Sequence, residues 1–117
     1  MKIFISFLFV GLVFISNNTQ ACLTIEGIWR HASKPALVEF NLRERTARVK
    51  QHSANKHSEG LTIIRNIRHP HKSQLVWLGE MYHGEMSRWL PVTIKHRGGS
   101  IIVYDSNDKE VLKLLRQ

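Results

Sequence analysis

Residues 89–104, with the sequence WLPVTIKHRGGSIIVY, decide the fold. Apolar Val92 and Ile94 alternate with polar residues, which is the period-two pattern of a strand with one buried face. The adjacent Gly98 and Gly99 supply the positive φ angles that tight hairpin turns require. A second apolar run follows at once, so the stretch predicts an antiparallel β-hairpin.

Short apolar runs separated by turn residues recur along the rest of the chain. They begin roughly every 10–15 residues, a spacing typical of an antiparallel sandwich or barrel. The seven predicted strands are Gly27–Arg30, Ala36–Leu42, Ala47–Gln51, Leu61–Ile67, Gln74–Tyr82, Trp89–His96 and Ile101–Tyr104. The longest predicted loop runs from His52 to Gly60. We therefore expect an all-β domain.

The C-terminal segment allows two interpretations. Residues 106–108 (SND) are typical of a helix cap, and the apolar residues of the run Val111–Leu115 fall at helical spacing. As a strand, the same run places Leu112 and Leu114 on one face. Local signals alone favour the helix.

The first residues predict export. Lys2 precedes a continuous apolar stretch, Ile3–Ser16, which is shorter than the roughly 20 residues that a membrane-spanning helix needs. A polar patch and the small residue Ala21 complete the pattern of a cleavable signal peptide over residues 1–21. The remaining residues, 22–117, are enough for one domain and too few for two.

Cys22 is the only cysteine and stands at this cleavage site. Either a signal peptidase cuts after Ala21 and leaves a free thiol, or Cys22 receives a diacylglyceryl group, as in bacterial lipoproteins. Thr19 and Gln20 stand where lipoprotein signals usually carry Leu and a small residue, which favours simple export. A single cysteine forms no internal disulfide, so the core alone must stabilise the domain.

The chain is basic, with 17 Lys and Arg residues against nine Asp and Glu residues and a net charge of +8. Removal of Lys2 with the signal peptide lowers that charge by one. The cations are spread along the sequence, and Arg48 and Lys50 alternate with small apolar residues, as on the solvent face of a strand. Because export also separates the domain from nucleic acid, we predict no nucleic-acid partner. We predict instead an attraction to anionic envelope surfaces, such as phospholipid or lipopolysaccharide head groups.

The seven histidines raise the question of a metal site. His69 and His71 are two residues apart in one predicted loop. His52 and His57 belong to another. A zinc site needs three or four convergent ligands, usually including cysteine or carboxylate. Solvated loop histidines are therefore the favoured interpretation, and no metal or cofactor is predicted.

No catalytic motif is assembled in the sequence. Cys22 is terminal, and no serine occupies a nucleophile elbow. Glu80 and Glu85 are a conceivable acid pair for glycoside chemistry, but a glycine-containing turn separates them. We therefore predict a protein that is not an enzyme.

Five aromatic residues recur along the predicted strands: Trp29, Trp77, Tyr82, Trp89 and Tyr104. One interpretation is that they fill a small core, where each buries a large area. The other is that some of them line a cavity for an apolar ligand, as in closed eight-stranded barrels. The short strands favour the core. The ligand-binding candidates under the second interpretation are Trp77, Tyr82 and Trp89.

The motif Gly27–Trp29 resembles the G-x-W of the first strand in lipocalin-like barrels. In that superfamily a basic residue of the last strand covers this Trp in a cation–π contact. The resemblance gives that role to Arg116, which requires the C-terminal run to be a strand. The stretch Trp77–Tyr82 (WLGEMY) resembles the W-x-G-x-x-Y of a family of small exported bacterial proteins, uncharacterised in function and thought to have a lipocalin-like fold.

This resemblance implies a small antiparallel up-and-down barrel of about eight short strands over residues 22–117, with Trp29 and Arg116 at its base. An OB-type barrel is the alternative fold. The chain departs from the family in two respects. Residues 43–45 (RER) replace the usual turn glycine of the second hairpin, and the cysteines after that hairpin are missing.

Two functions from different classes fit these observations. The first is an exported envelope protein that binds a lipid or another small apolar molecule without catalysis. The second is an interaction or inhibitor module whose basic face and loops contact a protein or a glycan. An open apolar interior distinguishes the first from the second. The sequence indicates no oligomeric state.

Overall fold

The computed structural model describes residues 24–72 and 74–117. The predicted signal peptide, with Ala21 and Cys22, lies outside the described residues. The strands are β1 (Gly27–His31), β2 (Ala36–Asn41), β3 (Thr46–His52), β4 (Thr62–Arg68), β5 (Val76–His83), β6 (Arg88–Arg97), β7 (Ser100–Tyr104) and β8 (Glu110–Arg116). A single 3-10 turn, Lys56–Ser58, lies between β3 and β4. Among the described residues, no helix is long and apolar enough to cross a membrane.

Each strand pairs antiparallel with the next one, and β1 pairs with β8 to close a barrel. The prediction of an all-β, up-and-down antiparallel barrel of eight short strands is confirmed. All seven strands predicted from periodicity are present close to their predicted bounds. The turn at Gly98 and Gly99 joins β6 to β7, with Gly98 at a φ of 61°.

The C-terminal run is a strand, so the helix favoured by local signals is wrong. β8 pairs with β7 on one side and with β1 on the other, where Trp29 lies opposite Arg116. β7 pairs along most of β8 and β1 pairs with residues 114–116, while Leu112 and Leu114 are buried. This tertiary pairing overrides helix propensity. The expected cap residues form a turn instead, in which the Asp105 carboxylate accepts hydrogen bonds from the backbone N–H groups of residues 107 and 109.

Alternate residues of the strands point into the barrel and form its core. In β2, for example, Ala36, Val38 and Phe40 are buried while the residues between them are more exposed. The buried core cluster consists of Ile25, Trp29, Val38, Phe40, Ala47, Ile64, Ile67, Trp77, Val92, Ile94, Ile101, Val103, Leu112 and Leu114. Apolar burial on this scale is the main force that holds a domain of this size together without disulfides.

The turns of an up-and-down barrel alternate between its two ends. One end, which we call the mouth, carries the turns at 32–35, 53–61, 84–87 and 105–109. The other, which we call the closed end, carries the turns at 42–45, 69–72 with 74–75, and 98–99, together with the residues that precede β1. Ile25 is fully buried at the closed end, and its carbonyl accepts a hydrogen bond from Trp29 Nε1 at 3.0 Å.

The β2–β3 turn lacks glycine, and Arg45 takes the left-handed conformation there, with a φ of 63°. Its side-chain Nε donates to the carbonyl of Ile67 at 3.1 Å, and the Ile67 N–H donates to the Arg45 carbonyl at 3.0 Å. These bonds fasten the turn to β4 and offset the cost of a left-handed non-glycine residue. Opposite this turn, β4 contains an irregularity at Asn66, whose φ is 53°.

Candidate functional site

A cavity with a volume of about 920 Å³ opens at the mouth. Its floor is apolar and consists of Met81 on β5 together with Leu90 and Val92 on β6. Met81 and Leu90 are cross-strand neighbours, as are Val92 and Gly79. Gly79 itself does not line the cavity, because Ile64 and Ile67 of β4 pack against it.

Polar side chains form the rim of this cavity. The β5–β6 turn contributes Glu85, the turn before β8 contributes Lys109 and Glu110, and Lys34 of the β1–β2 turn completes the ring. The rim thus offers both charges. Asp105 also borders the cavity, but hydrogen bonds from backbone N–H groups, first that of Lys109, lower the pKa of this carboxyl. The ionised Asp105 therefore shapes the rim turn.

The half of the barrel next to the closed end is filled by large side chains. Trp29, Phe40 and Trp77 are all buried there. The His69 ring stacks on Trp77, with centroids 4.3 Å apart and the planes inclined by 16°. This packing favours the mouth over the closed end as the place for a ligand.

The three aromatic residues predicted to bind a ligand do not come together. Trp77 is a core residue beneath the stacked ring of His69. Tyr82 and Trp89 are cross-strand partners next to the mouth, in a T-shaped contact with centroids 5.4 Å apart. Their side chains lie on the outward-facing side of β5 and β6. Tyr82 is 45% exposed and also borders the cavity.

A cationic side chain covers Trp89 on the outer wall. The Arg65 guanidinium lies 4.3 Å from the Trp89 ring centroid, and its Nε donates to Glu80 Oε1 at 2.8 Å. Hydrogen bonding from Arg65 is the main cause of the lowered pKa of Glu80. A carboxyl that is held ionised in this way does not serve as a general acid, and Glu85 lies apart from it in the β5–β6 turn.

Trp29 and Arg116, assigned by resemblance to the barrel base, contact each other at the closed end. The Arg116 guanidinium carbon lies 5.0 Å from the Trp29 ring centroid. His96 packs edge-on against Trp29 at 5.9 Å, and its Nε2 lies 3.5 Å from Arg116 Nη2. Because a guanidinium only donates hydrogen bonds, this contact favours the neutral tautomer of His96 in which Nε2 is the acceptor. Burial, followed by the charge of Arg116, lowers the pKa of His96.

Sequence reasoning missed His96, although a signal for it exists. It is two residues after Ile94 and four after Val92, so the period-two alternation of β6 points it inward. It is 6% exposed, and its Nδ1 has no hydrogen-bond partner among the described residues. The interpretation as solvated residues concerned the loop histidines, and His96 lies in a strand.

Two of the four loop histidines considered as metal ligands, His52 and His69, have other contacts. Nδ1 of His52 accepts a hydrogen bond from the N–H of Asn55 at 3.1 Å. His69 stacks on Trp77, and its Nε2 lies 2.6 Å from the carbonyl of Gln74. Within residues 24–72 and 74–117, no three His, Cys, Asp or Glu side chains are grouped to hold a metal ion.

Comparison of the chain with protein-family models, curated proteins and solved structures gave no significant match. The relation to lipocalin-like exported proteins therefore stays a prediction from the G-x-W and W-x-G-x-x-Y motifs. The barrel itself is established by its strand pairing. The candidate functional surfaces of the barrel are the mouth, the outer wall and the closed end.

Proposed function

We propose that this protein is a non-catalytic binding protein whose mouth cavity holds a small apolar or lipid ligand. The observation that supports this proposal is a cavity of about 920 Å³ with the apolar floor of Met81, Leu90 and Val92. Small-molecule sites typically have volumes of about 300–1,000 Å³, with mainly apolar walls and a few polar groups. The mouth cavity has a volume in this range, and it joins an apolar floor to a rim that is richer in polar groups than is typical.

The arrangement of the cavity favours an amphipathic ligand. An acyl chain or a ring system placed on the floor is removed from water at about 25 cal/mol per Å² of apolar surface. A polar head group then lies level with the rim, where Lys34 and Lys109 offer donors and Glu85 and Glu110 offer acceptors. Burying a head group deeper, without such partners, costs free energy.

The predicted signal peptide places this binding protein in the cell envelope, outside the cytoplasm. The mass of the mature protein tests this placement. A chain that begins at Cys22 without added mass indicates a soluble exported protein, and a gain matching acyl chains indicates lipidation of Cys22. A full-length chain that retains residues 1–21 contradicts export.

Binding to the mouth is tested with a fluorescent apolar probe and with native mass spectrometry of protein purified from its own envelope. Leu90→Glu places a charge on the cavity floor, and Leu90→Trp fills part of its volume. Leu61→Glu is the matched control, since Leu61 is 57% exposed and does not line the cavity. We expect both Leu90 variants to weaken probe binding at least about tenfold, equivalent to about 1.4 kcal/mol, and the control to bind as the wild type does.

Two results would refute the mouth as the binding site. The first is equal probe affinity in the wild type and in both Leu90 variants, with melting curves showing that all are folded. The second is the absence of any bound lipid or probe in the wild type. In that case the outer wall becomes the better candidate, because Tyr82 and Trp89 form a partly exposed aromatic pair flanked by Arg65. Aromatic and arginine residues of this kind are typical anchors for protein partners.

A further inference from the structure

Charge is unevenly divided between the two ends of the barrel. The mouth turns and adjoining strand ends carry five carboxylates against four cations: Glu59, Glu85, Asp105, Asp108 and Glu110 against Lys34, Lys56, Arg88 and Lys109. The closed end carries six cations against two carboxylates: Arg43, Arg45, Arg68, Lys72, Arg97 and Arg116 against Glu26 and Glu44. The closed end is therefore strongly basic, while the mouth is slightly acidic.

The two carboxylates at the closed end are already engaged. Glu26 Oε1 accepts a hydrogen bond from the backbone N–H of Leu42 at 2.9 Å, and Glu44 lies 3.6 Å from Arg48. The salt bridges formed by the described residues involve Arg48, Lys50 and Arg65, all on the barrel wall. None of the six closed-end cations takes part in them, so their charge is not compensated locally.

Exposed apolar side chains occur at both ends and do not set the orientation. Leu75 and Ile28, each 36% exposed, lie at the closed end, while between 40% and 57% exposure is found near the mouth for Leu61, Tyr82, Met86 and Val111. The chain joins the barrel at the closed end, where Thr24 and Ile25 precede β1. Any tether carried by residues 1–23 therefore reaches the domain at its basic end.

We propose that the closed end docks on the surface of an anionic phospholipid bilayer, with the mouth facing away from it. Each Lys or Arg near such a surface strengthens binding by about fivefold, and the attraction extends over about a Debye length. The acidic mouth gains nothing from the same surface, so the charge asymmetry fixes the orientation. Docking leaves the mouth cavity open and does not depend on what it binds.

The test is sedimentation of the mature protein with vesicles of phosphatidylglycerol mixed with phosphatidylcholine. The closed-end variant combines Arg43→Glu, Lys72→Glu and Arg97→Glu, at side chains that make no hydrogen bond or salt bridge with the described residues. The matched control combines Arg30→Glu, Lys56→Glu and Arg88→Glu, at exposed side chains at or next to the mouth that do not line its cavity, with the same change in net charge. We expect the closed-end variant to lose vesicle affinity by about a hundredfold or more and the control to stay within about threefold of the wild type.

Hydrogen exchange measured on the vesicle-bound wild type shows which end of the barrel faces the bilayer. Protection is expected in the turns at 42–45 and 69–72, and none in those at 84–87 and 105–109. Equal losses in the two triple variants would overturn the proposal, because binding would then follow net charge alone. Wild-type protein that binds pure phosphatidylcholine equally well, or soluble heparin but not the anionic vesicles, would overturn it too. A melting curve for each variant shows that it is folded.

Discussion

Replacing Trp29 by Ala should destabilise the barrel more than any other single truncation of an aromatic side chain. Trp29 is 2% exposed and belongs to the core cluster at the closed end. Truncating a buried Trp to Ala costs about 3–5 kcal/mol. The substitution also leaves the buried carbonyl of Ile25 without its donor, which adds about 1 kcal/mol or more. Loss of the contact with Arg116 contributes about 0.5–1 kcal/mol.

The sum is about 4.5–7 kcal/mol, a large part of the roughly 5–15 kcal/mol that stabilises a typical domain. Urea unfolding monitored by far-UV circular dichroism measures this loss of stability. Circular dichroism is preferred to fluorescence because removal of a Trp alters the fluorescence signal. Trp29→Phe separates the contributions: it keeps most of the packing, loses the hydrogen bond to Ile25, and should cost about 1–3 kcal/mol.

The matched control is Trp89→Ala on the outer wall. This substitution removes the cross-strand aromatic contact with Tyr82 and the cation–π contact with Arg65. Together these contacts contribute about 1–2 kcal/mol to stability. A loss below about 1.5 kcal/mol for Trp29→Ala, or equal losses for the two Trp→Ala variants, would refute the reasoning. Either result would mean that the closed end repacks without its central ring.

Three further predictions concern single substitutions. Gly79→Ala should lower the free energy of unfolding by about 1–3 kcal/mol in urea titrations. The added Cβ would lie 3.0 Å from a side chain and 3.2 Å from a backbone oxygen of β4. An unchanged free energy of unfolding would show that β4 moves to accommodate the methyl group. Ser87→Gly should raise the melting temperature, since Ser87 has a φ of 52° and glycine avoids a strain of about 1 kcal/mol; an unchanged or lower value would contradict this. The pKa of His96 is lowered in the folded state. The stability that the neutral His96 ring contributes is therefore complete above its pKa in the unfolded chain, about 6.5, and is lost as the pH falls below that value. The pKa of His31 is lowered too, first by burial. His96→Gln should therefore reduce but not abolish the loss of stability between about pH 7 and about pH 5. An identical loss in the variant and the wild type would exclude His96 as a cause.

The strands could be predicted from the sequence because their information is local. The alternation of Val92 and Ile94 and the glycines that follow specify a hairpin with no reference to the rest of the chain. The C-terminal run could not be predicted in this way. Its strand conformation depends on pairing with β1, whose residues are almost a whole domain away in sequence.

The site was predictable only in part. Trp77 and Tyr82 are five residues apart in one strand, and an odd separation places two residues on opposite faces. That signal is present in the sequence, and it excludes a shared interior site for the two rings. The mouth cavity was beyond sequence reasoning, because its floor and rim come from strands and turns that meet only when the barrel closes.

The charge distribution depends on the fold in the same way. Arg43, Lys72 and Arg97 are far apart along the chain, and the cations look dispersed in the sequence. The up-and-down topology brings every second turn to the same end, so dispersed cations become neighbours. For a chain whose sequence predicts such a barrel, a count of charges over alternate turns therefore indicates which end is basic.

The pairing of β1 with β8 also sets the order in which the barrel can be completed. Trp29 must meet Arg116, so a chain that is synthesised or translocated N-terminus first presents β1 long before its last partner exists. Neighbouring hairpins such as β6–β7 form from local contacts, whereas closure waits for the C-terminus. Until then β1 is an unpaired edge, the kind of surface through which incomplete chains associate. Removal of β8 would make that transient state permanent and leave two such edges, on β1 and β7.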